Sequence, residues 1–236
     1  MNLYLYFTIF IADFQPKNLA ATAQKCYIGF RGDFMVNFDF IENKKLQKQI
    51  EFTVEIDKMK QILRRNLIAD GSKREDDAAH SWHLAVMAML LEEYSAEKID
   101  VNRVIKIALV HDLVEVYAGD TFAYDAKGYE DKEEREKDAA TKLFGMLEGE
   151  QGAQIRALWD EFEAGETAEA KYANAIDRIQ PLLLNYLTDG HTWKMGGVSS
   201  AQVYKRMDII RTATPELWCI VESVIKNSIE KGILKP

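Results

Sequence analysis

Residues 101–120 read VNRVIKIALVHDLVEVYAGD. Val101, Val104, Ile105, Ala108 and Leu109 recur at the spacing of an inward helix face. His111 shares its face with Val104, Ile107 and Ala108. Asp100 can cap the helix, and Gly119 breaks the chain after it. The segment predicts a buried helix that carries His111 and Asp112 into apolar surroundings. Such groups are costly to bury unless they are paired or bound to a metal.

Helical periodicity extends outward in both directions. Upstream, residues 44–68 place Leu46, Ile50, Val54, Met59, Ile62 and Leu63 at helical spacing, and Asp70-Gly71-Ser72 is a break. Residues 76–94 carry two apolar faces, one through Ala78, Trp82, Ala85, Val86 and Met89, the other through Leu84, Met87 and Leu91 in line with His80. A helix apolar on most sides is a central one. Downstream, the charged run Glu130–Lys137 opens a helix that buries Ala140, Leu143, Phe144 and Leu147. Residues 153–163 bury Ile155, Leu158, Trp159 and Phe162. Thr167 caps a long helix through Tyr172, Ile176, Ile179, Leu183 and Leu187. Ser199 and Gln202 have capping-box spacing before Val203, Met207 and Ile210. Thr214-Pro215 opens a last helix through Trp218, Val221, Val224, Ile225 and Ile229. No stretch beyond residue 40 alternates as a strand. The expectation is one compact all-α bundle of about eight helices, with no repeat and no low-complexity linker.

Composition agrees. The 236 residues contain 13 glycines and 4 prolines, about 7% of the chain against an average near 12%. A sandwich or barrel needs more turns than that. With 47% apolar and 29% charged residues, disorder and a polytopic membrane protein are both disfavoured. The net charge of −8 argues against a nucleic-acid polymer as partner, while leaving room for a nucleotide-sized anion. Cys26 and Cys219 make no disulfide framework, which suits a reducing, cytoplasmic setting. Residues 3–12, LYLYFTIFIA, are apolar but too short to span a bilayer, and no Lys or Arg precedes Lys17. A signal peptide and a hairpin-like extension are the alternatives there. The preferred expectation is that residues 1–34 form a poorly structured extension and that residues 35–236 are the domain.

The chemistry concentrates on three predicted helices. His80, His111, Asp112 and Asp177 offer two imidazoles and two carboxylates, a donor set suited to a divalent transition metal in a bundle core. Glu115 lies one turn beyond His111, and Asp120 follows the break at Gly119. Without a cation such an acid cluster repels itself. Pro181 sits four residues after Asp177 and has no N–H for the Asp177 carbonyl, so a kink near Asp177 is expected. Each residue alone has a plainer reading, as a hydrogen-bonded core histidine, an ion-pair partner or a surface acid. The joint pattern favours a site.

The strings DDAAHSWHLA (76–85), ALVHDLVEVYAGDTFAYD (108–125) and AIDRIQPLLLNYL (175–187) resemble the HD-domain metal-dependent phosphohydrolases, in particular the 5′-deoxynucleotidase branch, over residues 45–230. The resemblance implies an HD-domain bundle with a metal (Mn, Co, Fe or Zn) held by His80, His111, Asp112 and Asp177. It implies catalytic roles for Glu115 and Asp120, with Asp120 also contacting the sugar, and a phosphate contact at Arg65, with Arg64 beside it. Ala79 stands where the family carries an acid before the first His, and Asp76 or Asp77 are the candidate replacements. The activity implied is removal of the 5′-phosphate from (deoxy)nucleoside 5′-monophosphates, with a homodimer compatible with the resemblance. Trp82 and Phe122 are read mainly as core residues, His83 as a packing or supporting residue and His191 as a loop residue. The alternatives are an HD-type hydrolase of another small phosphoester and a non-enzymatic nucleotide- or metal-binding regulatory module. Alarmone hydrolases carry Glu-Asp after HD where this chain has Glu115-Val116, and cyclic-dinucleotide phosphodiesterases carry Gly-Lys near the pair where it has Leu113-Val114. Both are disfavoured.

Overall fold

The computed structural model describes residues 38–236. The extension expected over residues 1–34 lies outside the described residues. Helix α1 (Lys44–Glu55) begins at Asn43, whose side chain accepts from the Leu46 amide. It buries Gln47 and Phe52, whereas Leu46 and Val54 remain exposed. A 3-10 turn (Ile56–Gln61) follows, so the helix expected to reach residue 68 stops short. Leu63–Leu67 instead forms strand β1, antiparallel to β2 (Arg74–Asp76), with an irregularity between the pairs Leu63–Asp76 and Leu67–Arg74. This hairpin corrects the expectation of no strand beyond residue 40. Arg74 donates to the Leu63 and Arg64 carbonyls and the Asp77 amide donates to the Ile62 carbonyl. These partners come from outside the segment, and helical periodicity does not register them.

Helix α2 (Asp77–Leu90) is capped by Asp76, whose carboxylate accepts from the Ala79 amide at 2.9 Å. His80, Leu84, Met87 and Ala88 face inward, and of the second expected face Ala85 is buried while Trp82 and Met89 are exposed, so that face is core only in part. α2 packs on α3 (Val101–Val110), which starts at the expected Asp100 cap. Leu109, expected inward, is exposed. The short α4 (Glu115–Ala118) ends at Gly119, whose φ of +75° favours glycine. Helices α5 (Lys132–Phe144) and α6 (Glu150–Ala164) bury Ala140, Leu143, Phe144, Trp159 and Phe162.

The long α7 (Ala168–Leu187) is capped by Thr167 and runs through Pro181. It touches α2, α3, α6 and β1, which makes it the central helix. Helix α8 (His191–Gly196) corrects the loop expected around His191. It is set by tertiary contacts. Asn185 Oδ1 accepts from the Thr192 amide and hydroxyl, and Gly190, with φ +68°, lies so close to Ile233 that a Cβ would meet its carbonyl oxygen at 2.2 Å. The capping box of Ser199 and Gln202 opens α9 (Ser200–Met207) as expected. After α10 (Ile210–Ala213), Pro215 opens a 3-10 turn, not the α-helix itself, and α11 (Trp218–Glu230) follows.

The fold is all-α apart from the hairpin. Two apolar clusters form the core. Ala108 belongs to the first, and Leu113 and Val114 to the second. His111 and Asp112 therefore sit where the clusters meet, at the end of α3. No helix among the described residues is long and apolar enough to cross a membrane.

Candidate metal centre and cleft

Three helices bring the four candidate ligands together. His80 lies on the first turn of α2, His111 and Asp112 at the end of α3, and Asp177 midway along α7. His80 Nε2 is 3.0 Å from Asp177 Oδ1 and 3.8 Å from Asp112 Oδ2. His111 Nε2 is 3.1 Å from Asp112 Oδ2 and 3.7 Å from Asp177 Oδ1. Both rings are buried.

The other nitrogen of each ring has its own partner. His111 Nδ1 donates to the Ala108 carbonyl at 2.8 Å, and His80 Nδ1 donates to Gln180 Oε1 at 3.2 Å. In the neutral tautomers this leaves a lone pair on each Nε2, directed at carboxylate oxygens that are acceptors too. His111 Nε2 is buried and has no hydrogen-bond partner. A cation resolves four acceptors pointed at one another. Two imidazole nitrogens and two carboxylate oxygens at these separations fit a divalent ion.

The electrostatics give the same answer. Burial lowers the His111 pKa, but the carboxylates of Asp112 and then Asp177 close to Nε2 outweigh it and push it up to about 10. Burial works against ionised Asp177 and Asp112, yet the two imidazoles hold both below the usual carboxylate range, Asp177 well below. Burial and the Arg64 charge push His80 down. Asp112 and Asp177 thus draw a positive charge onto His111 Nε2, a role that a metal fills as well as a proton.

A belt of charge surrounds the four. Arg64 Nη1 is 2.8 Å from Asp112 Oδ2 and 3.7 Å from Asp77 Oδ1. Glu115 is buried beside Asp112 and Asp77. Burial first, then those two charges, raise its carboxyl well above the usual range. Asp77, fully buried, is pushed up to about 7 by burial and by Asp112. Donor atoms of Asp77, Asp112 and Glu115 all lie within 4.8 Å of one another.

Beside this cluster runs a narrow cleft whose lining includes Arg64, Arg65 and Asp120. The Arg65 guanidinium stacks over the Phe122 ring, 4.8 Å from its centroid. The alternation of β1 turns Arg64 towards Asp112 and leaves Arg65 more exposed. Burial raises the Asp120 pKa despite Arg64. Phe122 lines the cleft, whereas Trp82 is exposed on α2 and does not.

Neither Asp76 nor Asp77 bonds His80. Gln180, one helical turn beyond Asp177 on α7, holds the ring instead. Its Nε2 donates to Glu75 Oε1 at 2.6 Å and lies 3.2 Å from His83 Nδ1. Glu75 and Gln180 are the residues that sequence reasoning missed. The available signal was the three-residue offset between Asp177 and Gln180, which places both on one helix face.

Residues 56–218 match the family described as HD domain. A crystal structure of a predicted metal-dependent phosphohydrolase from Magnetospirillum magnetotacticum MS-1 superposes with a TM-score of 0.77 at 48% identity, covering 82% of this chain and 100% of that one. The chain belongs to the HD-domain family of metal-dependent phosphohydrolases. Among curated relatives, this HD-domain chain is 33% identical over 135 residues to 5′-deoxynucleotidase HDDC2 of Xenopus laevis, covering 57% of this chain and 66% of that protein. It is 31% identical over 147 residues to 5′-deoxynucleotidase HDDC2 of Dictyostelium discoideum, covering 60% of this chain and 77% of that protein.

Proposed function

We propose that this HD-domain phosphohydrolase removes the 5′-phosphate from (deoxy)nucleoside 5′-monophosphates. The observation that carries the reading is the convergence of two imidazole Nε2 atoms and two carboxylates next to a cleft lined by Arg64, Arg65 and Asp120. The relatives named 5′-deoxynucleotidase support the nucleotide as substrate. His80, His111, Asp112 and Asp177 would hold a divalent ion, with Mn, Co, Fe and Zn as candidates by ligand chemistry. When bound, the ion supplies Lewis acidity at the phosphoryl group.

The chain's own residues do the rest. Arg65 reaches the phosphate with a planar fork that matches its oxygens, and Arg64 screens its approach to the acid cluster. Glu115, whose raised pKa keeps its carboxyl protonated, gives its proton to the leaving 5′-oxygen as the water oxygen bonds to phosphorus and the P–O5′ bond breaks, and takes the water's proton in exchange. Asp120 accepts from a sugar hydroxyl. The carboxylates of this region repel a free phosphate, so Arg64 and Arg65 set which anions enter. The small cleft and the net charge of −8 suit a mononucleotide better than a polymer. The protein is read as cytoplasmic from its cysteine usage, and as a candidate homodimer.

The test is phosphate release from all ribo- and deoxyribonucleoside 5′-monophosphates, with each of the four metals in turn. Metal-dependent release from the deoxy series is expected. Stoichiometric binding of metal and nucleotide without release would replace the enzyme with a regulatory module.

A further inference from the structure

Two surface depressions, here called mouths, each share lining residues with the cleft. One opens past Arg65 and Asp120. The other opens past Tyr124, Arg178 and Arg206, residues that also line the central cleft. The two mouths share no residue. Phe122 and Trp193 line the cleft and neither mouth.

The second mouth has a charge pattern unlike the rest of the chain. Arg178, Lys205 and Arg206 supply three cations there and no carboxylate lines it, although the chain carries 38 acids against 30 basic residues. None of the three has an ion pair among the described residues. Asp177, the acid next to Arg178, is turned towards His80 and His111. Arg178 Nη1 donates to the Arg206 carbonyl at 3.0 Å, which holds its guanidinium against the Arg206 backbone. The other N–H groups of both side chains are uncommitted among the described residues. Arg178, Pro181, Leu182 and Asn185 follow one face of α7, so the cleft floor runs continuously to this pair.

The half-buried Arg178 and Arg206 share this region without an acid between them, and their charges repel one another. A neutral base carbonyl would satisfy some of their N–H groups and leave the charge in place. An anion satisfies both. The scissile phosphate is assigned to Arg65 with Arg64 beside it, where Arg64 meets Asp112, and neither arginine lines the second mouth. An anion at Arg178 and Arg206 therefore contacts a different part of the nucleotide.

We propose that Arg178 and Arg206 form a second anion subsite, which takes a phosphoryl group on the 3′ side of the nucleoside. This rests on the nucleotidase reading and narrows its substrate class to nucleotides that carry a phosphate at each end. A nucleoside 3′,5′-bisphosphate and a 5′-phosphorylated dinucleotide share this chemistry.

The experiment compares deoxyadenosine 5′-monophosphate, its 3′,5′-bisphosphate and 5′-phosphorylated dinucleotide on the metal-loaded protein. It measures both KM for 5′-phosphate release and equilibrium affinity. The second phosphate is expected to improve both by on the order of tenfold, as a charge-assisted contact should. The dinucleotide shows whether a bridging phosphodiester serves as well as a terminal phosphate. Arg206→Gln should bring the bisphosphate-to-monophosphate ratio close to one, and Arg178→Gln should do the same where its metal content matches wild type. A wild-type ratio near one, or a ratio unchanged in Arg206→Gln, overturns the subsite. If wild type releases no phosphate from any substrate, the nucleotidase reading fails, and the affinity ratio still decides the subsite.

Discussion

Gln180 Oε1 lies 3.2 Å from His80 Nδ1 and selects the tautomer that leaves Nε2 facing Asp177. Such supporting contacts typically set metal affinity within 10–100-fold. Gln180→Leu should therefore weaken metal binding by about 10–100-fold in a chelator competition while leaving helix content unchanged. An unchanged affinity would remove Gln180 from the support of His80. Glu115 and Asp112 separate two further roles. Glu115→Ala should keep most of its metal and lose about 10²–10⁴ in turnover, the usual worth of a proton-transfer group. Asp112→Ala should lose the metal itself, read by mass spectrometry. Normal turnover in Glu115→Ala would return Glu115 to the status of a buried acid. The His and Asp residues could be picked out in the sequence because ionisable groups on apolar helix faces need a reason to be there. Gln180 and Glu75 were missed. The offset from Asp177 puts Gln180 on the same helix face, but an uncharged amide on that face does not demand a partner, and its partners lie 100 and 105 residues away.

At the scale of elements, the helices followed from periodicity and caps. Asp100, Thr167 and the Ser199–Gln202 box all start helices where their spacing placed them. The hairpin did not follow, although it carries Arg64 and Arg65. Its strands are three and five residues long and mostly polar, because one side meets an acid cluster and not a core. Strands of that kind are fixed by their pairing and leave no apolar alternation to read. The two key glycines act differently. A Cβ at Gly119 would meet nothing within 4 Å, so only its backbone matters, with φ +75° and ψ 153°. Alanine there costs about 1–3 kcal/mol of strain, and the chain should relieve it by moving the loop that bears Asp120 and Phe122. Gly119→Ala should thus raise KM more than it lowers the melting temperature. Gly190→Ala adds a collision with the Ile233 carbonyl to the left-handed backbone. It should cost about 2 kcal/mol or more in denaturant titration. Equal effects of the two substitutions on stability would contradict this distinction.

For the whole molecule, a site at the meeting of two apolar clusters ties stability to its ligand. The described core runs from Phe52 to Leu234, and α7 alone contacts α2, α3, α6 and β1. Residues 36–236 form a compact unit of their own. Protein expressed from Met35 should therefore fold with the metal content and activity of the full chain, and failure to fold would give the first 34 residues a structural role. Within that unit, α2, α3 and α7 each bring buried acceptors to one point, and apart from Arg64 only a proton on His111 or a metal offsets them. A ligand present at 100 times its Kd stabilises the native state by about 2.7 kcal/mol. In a domain of this size each kcal/mol moves the melting temperature by roughly 2–4 °C. Chelation should therefore lower the melting temperature by about 5–10 °C, and added Mn²⁺ should restore it. Asp112→Ala should melt at one temperature with or without chelator. A wild-type protein equally indifferent to chelator would mean that Arg64 and a protonated His111 already balance the four acceptors, and the metal would then have no part in holding the helices together.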